Sequence, residues 1–76
     1  MRVEFVCKDP ASNPNQCPAF YWTDRSSLLV QGWVVTDPEA LAELVNLAPD
    51  ETVVEIPERL FLEFLAHYRE RQKAAS

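Results

Sequence analysis

The sequence predicts a small α+β domain, and three observations indicate this fold class. Apolar residues alternate with polar ones near the N-terminus, which is typical of a half-buried strand, and residues 28–35 also favour a strand. A helix start with proline occurs at residues 36–39, and apolar residues recur at helical spacing over 60–68. The 76 residues suffice for one domain, so we predict a single domain over 1–76 that frays at 74–76.

The first predicted strand lies near the N-terminus, where Val3, Phe5 and Cys7 occupy every second position. That period places all three side chains on one face of a strand. The segment 9–16 then contains two prolines together with aspartate, serine and asparagine, which favour turns and end strands. We therefore predict a strand followed by a polar loop.

An antiparallel hairpin is predicted next. Residues 19–23 are rich in aromatic side chains, residues 28–35 are rich in leucine and valine, and a polar turn separates the two segments. This pairing makes Tyr21 and Trp33 cross-strand neighbours on one sheet face. Gly32 has no side chain, so it indicates either a bulge or a position that admits a neighbouring ring.

The first helix is predicted to begin at one of two adjacent caps. Thr36 with Glu39 fits a capping box, whereas Asp37 before Pro38 fits an N-cap followed by proline at the first helical position. The stretch 48–50 contains a proline and ends the helix. Because the connection from the third strand is very short, we expect this helix to fold back against the sheet.

A fourth strand and a second helix complete the predicted fold. Residues 52–56 favour a strand, and proline and glutamate at 57–58 begin a helix whose apolar stripe should face the sheet: Leu60, Phe61, Phe64, Leu65 and Tyr68. The predicted order is β-β-β-α-β-α, with a mostly antiparallel four-stranded sheet and both helices on one face. A right-handed crossover would let the fourth strand pair in parallel with an earlier one.

The charge is distributed unevenly along the chain. Residues 1–35 are neutral, residues 36–63 carry eight acids against Arg59 alone, and the C-terminal residues are basic, giving a net charge of −5. Acidic surfaces repel phosphate backbones, so we expect no direct binding to nucleic acid. Two interpretations of the acidic segment stay open, namely a solvated surface and a surface for a basic partner.

Several function classes are excluded or disfavoured by the composition. Gly32 is the only glycine, so the chain has no glycine-rich phosphate loop. No apolar run approaches the roughly 20 residues that span a bilayer, and no export signal is visible, so we expect a cytoplasmic protein without membrane contact. No nucleophile and base occur at a telling spacing, so we predict neither enzyme activity nor a cofactor.

The two cysteines support three alternatives. Nine residues separate Cys7 from Cys17, and a disulfide over that loop would stabilise the fold by roughly 2–3 kcal/mol. A reducing cytoplasm instead favours two thiols. A zinc site normally has four ligands, so the two cysteines would need His67 and a carboxylate beside them. The spacing of Cys7, Cys17 and His67 matches no common zinc pattern. A small thiol or zinc-site domain built on Cys7 and Cys17 is therefore the alternative to a binding module.

The aromatic residues suggest an interaction surface. Phe20 and Trp22 point away from Tyr21, so helices on one face cannot cover all of these rings. Internal packing, protein binding and stacking on nucleic acid stay open, although the last normally requires flanking basic residues. The candidate surface combines the aromatic sheet with the polar loop and contains Tyr21, Gln31, Trp33, Asp9 and Asn13.

Four short motifs resemble a family of short actinobacterial proteins of unknown function, often encoded beside helix-turn-helix regulators: Asp9-Pro10 with Asn13, Cys17-Pro18, Gln31-Gly32-Trp33 and Thr36-Asp37-Pro38. The resemblance covers roughly residues 3–57. Cys7 departs from the family pattern, which has a small residue there, usually glycine. The resemblance implies a protein partner of the helix-turn-helix class and no established activity. A non-enzymatic interaction module is thus our leading hypothesis, with homodimer formation as a related expectation.

Overall fold

The computed structural model describes residues 1–11 and 18–75, and it confirms the α+β fold class. Asn13, Cys17 and Ser76 lie outside the described residues. The strands and helices follow one another along the chain as β1 Val3–Lys8, β2 Ala19–Thr23, β3 Leu28–Gln31, β4 Trp33–Val34, α1 Pro38–Ala42, β5 Val54–Glu55 and α2 Glu58–Ala75.

The strands form two antiparallel sheets where the sequence predicts one sheet of four strands. The larger sheet has the order β1-β2-β3, and the smaller one pairs β4 with β5. The predicted third strand over 28–35 therefore serves both sheets, and it is divided at Gly32. The fourth predicted strand, β5, lies antiparallel to β4, so the parallel pairing through a crossover is wrong.

The division at Gly32 has a steric cause. A Cβ atom at this position would lie 2.6 Å from the carbonyl oxygen of Glu55 and 2.8 Å from Cγ2 of Ile56. Such distances are far below van der Waals contact, so only glycine lets the backbone of β5 approach so closely. The neighbour that Gly32 admits is thus a strand backbone and not an aromatic ring.

The first helix is shorter than the sequence predicts. Asp37 is its N-cap, because the Asp37 carboxylate accepts a hydrogen bond from the Glu39 N–H at 3.0 Å, and Pro38 occupies the first turn. Helical structure ends at Ala42, and Asn46 has a left-handed φ of 67°, a conformation that asparagine tolerates and a helix does not. The helix contains no buried residue.

The core lies between α2 and the larger sheet. Leu60 is fully buried, and Phe64 stacks on Phe20 with 4.4 Å between the ring centroids. Trp22 contacts Phe64, and the guanidinium of Arg71 lies 4.2 Å from the Trp22 ring centroid. The prediction that α2 covers the sheet is therefore confirmed.

The apolar stripe of α2 is narrower than predicted. Phe61 is 49% exposed and Tyr68 41% exposed, although Tyr68 still lies beside Trp22. A sheet of three strands is narrow, and it covers one line of the helix that includes Leu60 and Phe64, whereas Phe61 lies about 100° around the helix from Leu60. Tyr68 continues the line of Leu60 and Phe64, one turn beyond Phe64, and is covered less than they are. The other helix, α1, borders β5 rather than the larger sheet, so the two helices do not share one sheet face.

We predict that Gly32→Ala lowers the free energy of unfolding by about 1–3 kcal/mol, because the added methyl group must displace β5. Urea denaturation followed by tryptophan fluorescence measures the loss. Ala42→Val adds methyl groups at an exposed position of α1 and should lower stability by no more than about 0.7 kcal/mol, the helix-propensity difference. Equal effects of the two substitutions would contradict the steric explanation.

Candidate protein-binding surfaces

A bulge in β1 decides which apolar residues face α2. Phe5 pairs with Tyr21 and Cys7 pairs with Phe20, so Val6 is an extra residue in β1. The bulge turns Cys7 into the core and leaves Phe5 on the opposite side of the sheet. The prediction that Val3, Phe5 and Cys7 share one face is therefore wrong for Cys7, because strict alternation fails at a bulge.

The side of the larger sheet opposite α2 is apolar and exposed. We call it the outer face, and it comprises Val3, Phe5, Tyr21 and Leu29. Phe5 is 56% exposed, and its ring meets the Tyr21 ring edge-on with 5.8 Å between centroids. Exposure at this level shows that no described element covers the outer face. The reason is that α2 packs on the opposite side of the sheet and α1 borders β5.

The structure separates two of the predicted surface residues and joins two others. Tyr21 lies opposite Leu29, whereas Trp33 lies opposite Glu55 in the smaller sheet, so the prediction that Tyr21 and Trp33 are cross-strand neighbours is wrong. The Tyr21 hydroxyl donates a hydrogen bond to Oε1 of Gln31 at 2.7 Å. Trp33 is 55% exposed, and because it lies in the smaller sheet it belongs to a different surface from Tyr21.

Asp9, another predicted surface residue, is buried in an ion pair. Arg59 donates from Nε to Oδ1 and from Nη2 to Oδ2 of Asp9, both at 2.7 Å. Asp9 Oδ1 also accepts from the Ala11 N–H, and the Asp9 N–H donates to the Pro18 carbonyl. These bonds to Arg59, with that of Ala11, hold the pKa of Asp9 below its ordinary value, and the same pair raises the pKa of Arg59.

Cys7 and His67 lie in very different surroundings. Cys7 carries a free, buried thiol, and burial together with the negative charge of Glu63 raises its pKa. His67 is exposed on α2, where Nε2 lies 3.2 Å from the carboxylate of Glu63. Within the described ranges no three histidine, cysteine or acidic side chains are grouped as metal ligands. Cys17, the third residue of the thiol or zinc hypothesis, lies outside those ranges.

An apolar groove with an acidic rim lies between α1 and β5. Its volume is about 540 Å³. The groove is lined by four valine or isoleucine side chains, two residues of the α1 region and two carboxylates, namely Val35, Val53, Val54, Ile56, Ala40, Leu44, Asp37 and Glu55. Sequence analysis identified the acidic segment but not the groove, because the groove depends on the antiparallel pairing of β5 with β4.

The region around the groove is exposed to an unusual degree. No residue from 33 to 55 is buried. Val34 is 63% exposed and Val45 81% exposed, and Leu44 and Leu47 are also exposed. Most of a small domain's large apolar residues are expected to be covered. Here a contiguous part of the chain leaves them open to a partner.

Comparison with known proteins gave no match to a family model, to a curated protein or to a solved structure. No helix among the described residues is long and apolar enough to cross a membrane. The functional argument therefore depends on the surfaces described above.

We predict that Asp9→Asn destabilises the fold at pH 7, because it removes the charge that pairs with Arg59. The pKa of Asp9 is lower in the folded protein than in the unfolded chain, where it is about 4. Ionised Asp9 therefore stabilises the fold fully above that unfolded pKa, and this stabilisation is lost as the pH falls through the folded pKa. The difference in urea midpoint between the two proteins should therefore shrink below pH 4.

Asp24→Asn provides the matched control, since Asp24 is an exposed residue of the β2–β3 turn. It should leave the urea midpoint nearly unchanged at pH 7. If Asp9→Asn had the same small effect as Asp24→Asn, the ion pair would have no structural role.

Proposed function

We propose that this chain is a non-enzymatic protein-binding module that associates with a transcription regulator of the helix-turn-helix class. The apolar groove with the acidic rim is the observation that carries the proposal. Its occupant is a basic amphipathic segment of the regulator, whose apolar side chains enter the groove while its lysines and arginines face the acidic rim.

Charge complementarity supports the choice of this occupant. Asp37 and Glu55 line the groove, and residues 36–63 carry a net charge of −7. The single base in that segment, Arg59, is held by Asp9 and does not neutralise the groove. A basic segment therefore gains attraction here, and an acidic segment or a phosphate backbone is repelled.

The apolar lining supplies the affinity that charge alone does not. Exposed salt bridges contribute only about 0–1 kcal/mol each. Burying one large apolar side chain contributes about 1.5–3 kcal/mol. Leu44, Val53 and Val54 offer such a surface. Helix-turn-helix regulators carry basic amphipathic helices for DNA, so they present a fitting segment.

The thiol or zinc hypothesis receives no comparable support. Burial and the charge of Glu63 raise the pKa of the Cys7 thiol, whereas a nucleophilic cysteine acts as a thiolate. Among the described residues no three histidine, cysteine or acidic side chains are grouped as metal ligands.

We predict that Glu55→Lys weakens the complex with a helix-turn-helix regulator by about tenfold or more, because the new lysine faces the basic segment. Isothermal titration calorimetry measures the dissociation constant. A synthetic amphipathic helix of leucine and lysine serves as a second probe, and its affinity should fall in parallel.

Glu70→Lys is the matched control, because it changes the net charge from −5 to −3 as Glu55→Lys does and lies on the exposed surface of α2. It should weaken binding far less at physiological salt, where charges beyond about 8 Å are screened. Equal weakening by Glu55→Lys and Glu70→Lys would show that net charge alone sets the affinity, and it would refute the groove as the binding site. No detectable heat with the regulator would refute the partner.

A further inference from the structure

The two edges of the larger sheet are built differently. β1 forms one edge, and it has a bulge at Val6 and charged side chains at Glu4 and Lys8. Bulges and charges are the devices by which natural proteins protect an edge strand from pairing. β3 forms the other edge, and its residues 28–31 contain no charge, no proline and no bulge. One edge is protected and the other is not.

The β3 edge is also apolar and open. Leu28 is 42% exposed, and Leu29 and Val30 are each 38% exposed. In the described part of the chain β3 pairs with β2 alone, so its second side pairs with no strand. An uncharged, exposed, apolar edge of this kind is a template for a further strand.

We propose that the further strand is β3 of a second copy of this chain. The two strands pair antiparallel about a two-fold axis at Leu29, and they join the two larger sheets into one continuous sheet of six strands. The proposal is independent of the groove, which uses residues 35–56, so either proposal can fail while the other holds.

The hydrogen-bonding pattern of β3 fixes this register. The Thr23 N–H donates to the Ser27 carbonyl at 3.1 Å, and hydrogen-bonded residues alternate along an antiparallel pair. Leu29 and Gln31 therefore bond to β2, while Leu28 and Val30 direct their backbone groups outward. A two-fold axis at Leu29 places Leu28 opposite Val30 of the second copy, so both pairs exchange hydrogen bonds.

The side chains match under the same symmetry. The two Leu29 side chains meet on the outer face at a position without hydrogen bonds, where cross-strand side chains are closest. On the helix side Leu28 meets Val30 of the second copy. An apolar strand thus meets an identical apolar strand, which is the self-complementarity that a two-fold interface requires.

The surface area of the chain agrees with a missing partner. The accessible surface is 6136 Å², whereas a compact monomer of 8.7 kDa would expose about 4,700 Å². The excess of roughly 1,400 Å² belongs to the whole chain, including the exposed region 33–55, and it accommodates the 800 Å² or so that each protein contributes to a standard interface. The radius of gyration of 14.3 Å is likewise larger than the value of about 11 Å for a compact domain of this length.

The charge distribution favours a second copy at this edge. Residues 1–35, which contain the larger sheet, have no net charge, whereas the negative charge of each copy belongs to residues 36–63. Two neutral surfaces do not repel, and physiological salt screens the acidic segments over about 8 Å. A charged foreign peptide would gain nothing from the uncharged β3 edge.

Sedimentation equilibrium of the full chain tests the proposal. The chain should sediment as a dimer, and Leu29→Lys should weaken the dimer by at least about tenfold, because two lysines would meet at the two-fold axis. Leu62→Lys makes the same change at a 57% exposed position of α2 and should leave the dimer intact. Circular dichroism verifies that both variants fold.

Cysteine crosslinking gives a test that does not depend on destabilising the edge. Leu29→Cys places two thiols at the position where the strands are closest, so mild oxidation should yield a covalent dimer, whereas Leu62→Cys should not. A chain that stays monomeric at millimolar concentration overturns the proposal. Phe5 shares the outer face with Leu29 but lies on β1, away from the β3 edge, so Phe5→Lys should leave the dimer intact. A dimer that is lost in Phe5→Lys assigns the interface to the outer face and also overturns the proposal.

Discussion

The ion pair between Asp9 and Arg59 is the interaction on which the rest of this structure depends. It joins the end of β1 to the first turn of α2, residues that are 50 positions apart in the chain. The adjacent Leu60 is thereby directed into the sheet, and Phe64 follows one turn later onto Phe20. Because the described part of the chain buries only five apolar residues as its core, packing alone specifies the position of α2 weakly. A bidentate pair has a defined geometry, so it adds the specificity that the small core lacks.

A second constraint, the absence of a side chain at Gly32, divides the chain into two unequal parts. One part is the larger sheet with α2, which contains every buried residue that is described, and the other is the region 33–55, which contains none. The region 33–55 adjoins the larger sheet and α2 where β5 approaches the backbone at Gly32 and where Ile56 packs against the core. A region without buried residues has little stability of its own and gains from a partner.

The two proposed interfaces are independent and also compatible. A dimer through β3 presents two acidic grooves related by a two-fold axis. Helix-turn-helix regulators commonly act as symmetric dimers, so two grooves could engage two equivalent segments of one regulator. Linking two such contacts raises the overall affinity well beyond that of either one. In the two proposals, self-association uses the neutral edge of β3 and partner binding uses the acidic groove.

The sequence by itself determined the fold class, the start of each helix and the location of the negative charge. Asp37 with Pro38 defines a cap by local hydrogen bonding, and alternating apolar residues define strands, so both can be identified without tertiary information. The candidate surface was only partly predictable, because Tyr21 and Gln31 lie together whereas Trp33 and Asp9 do not join them. Tertiary structure alone decided the bulge at Val6, the division at Gly32 and the burial of Asp9. Each of these results from a contact between residues far apart in sequence, and such contacts override local periodicity.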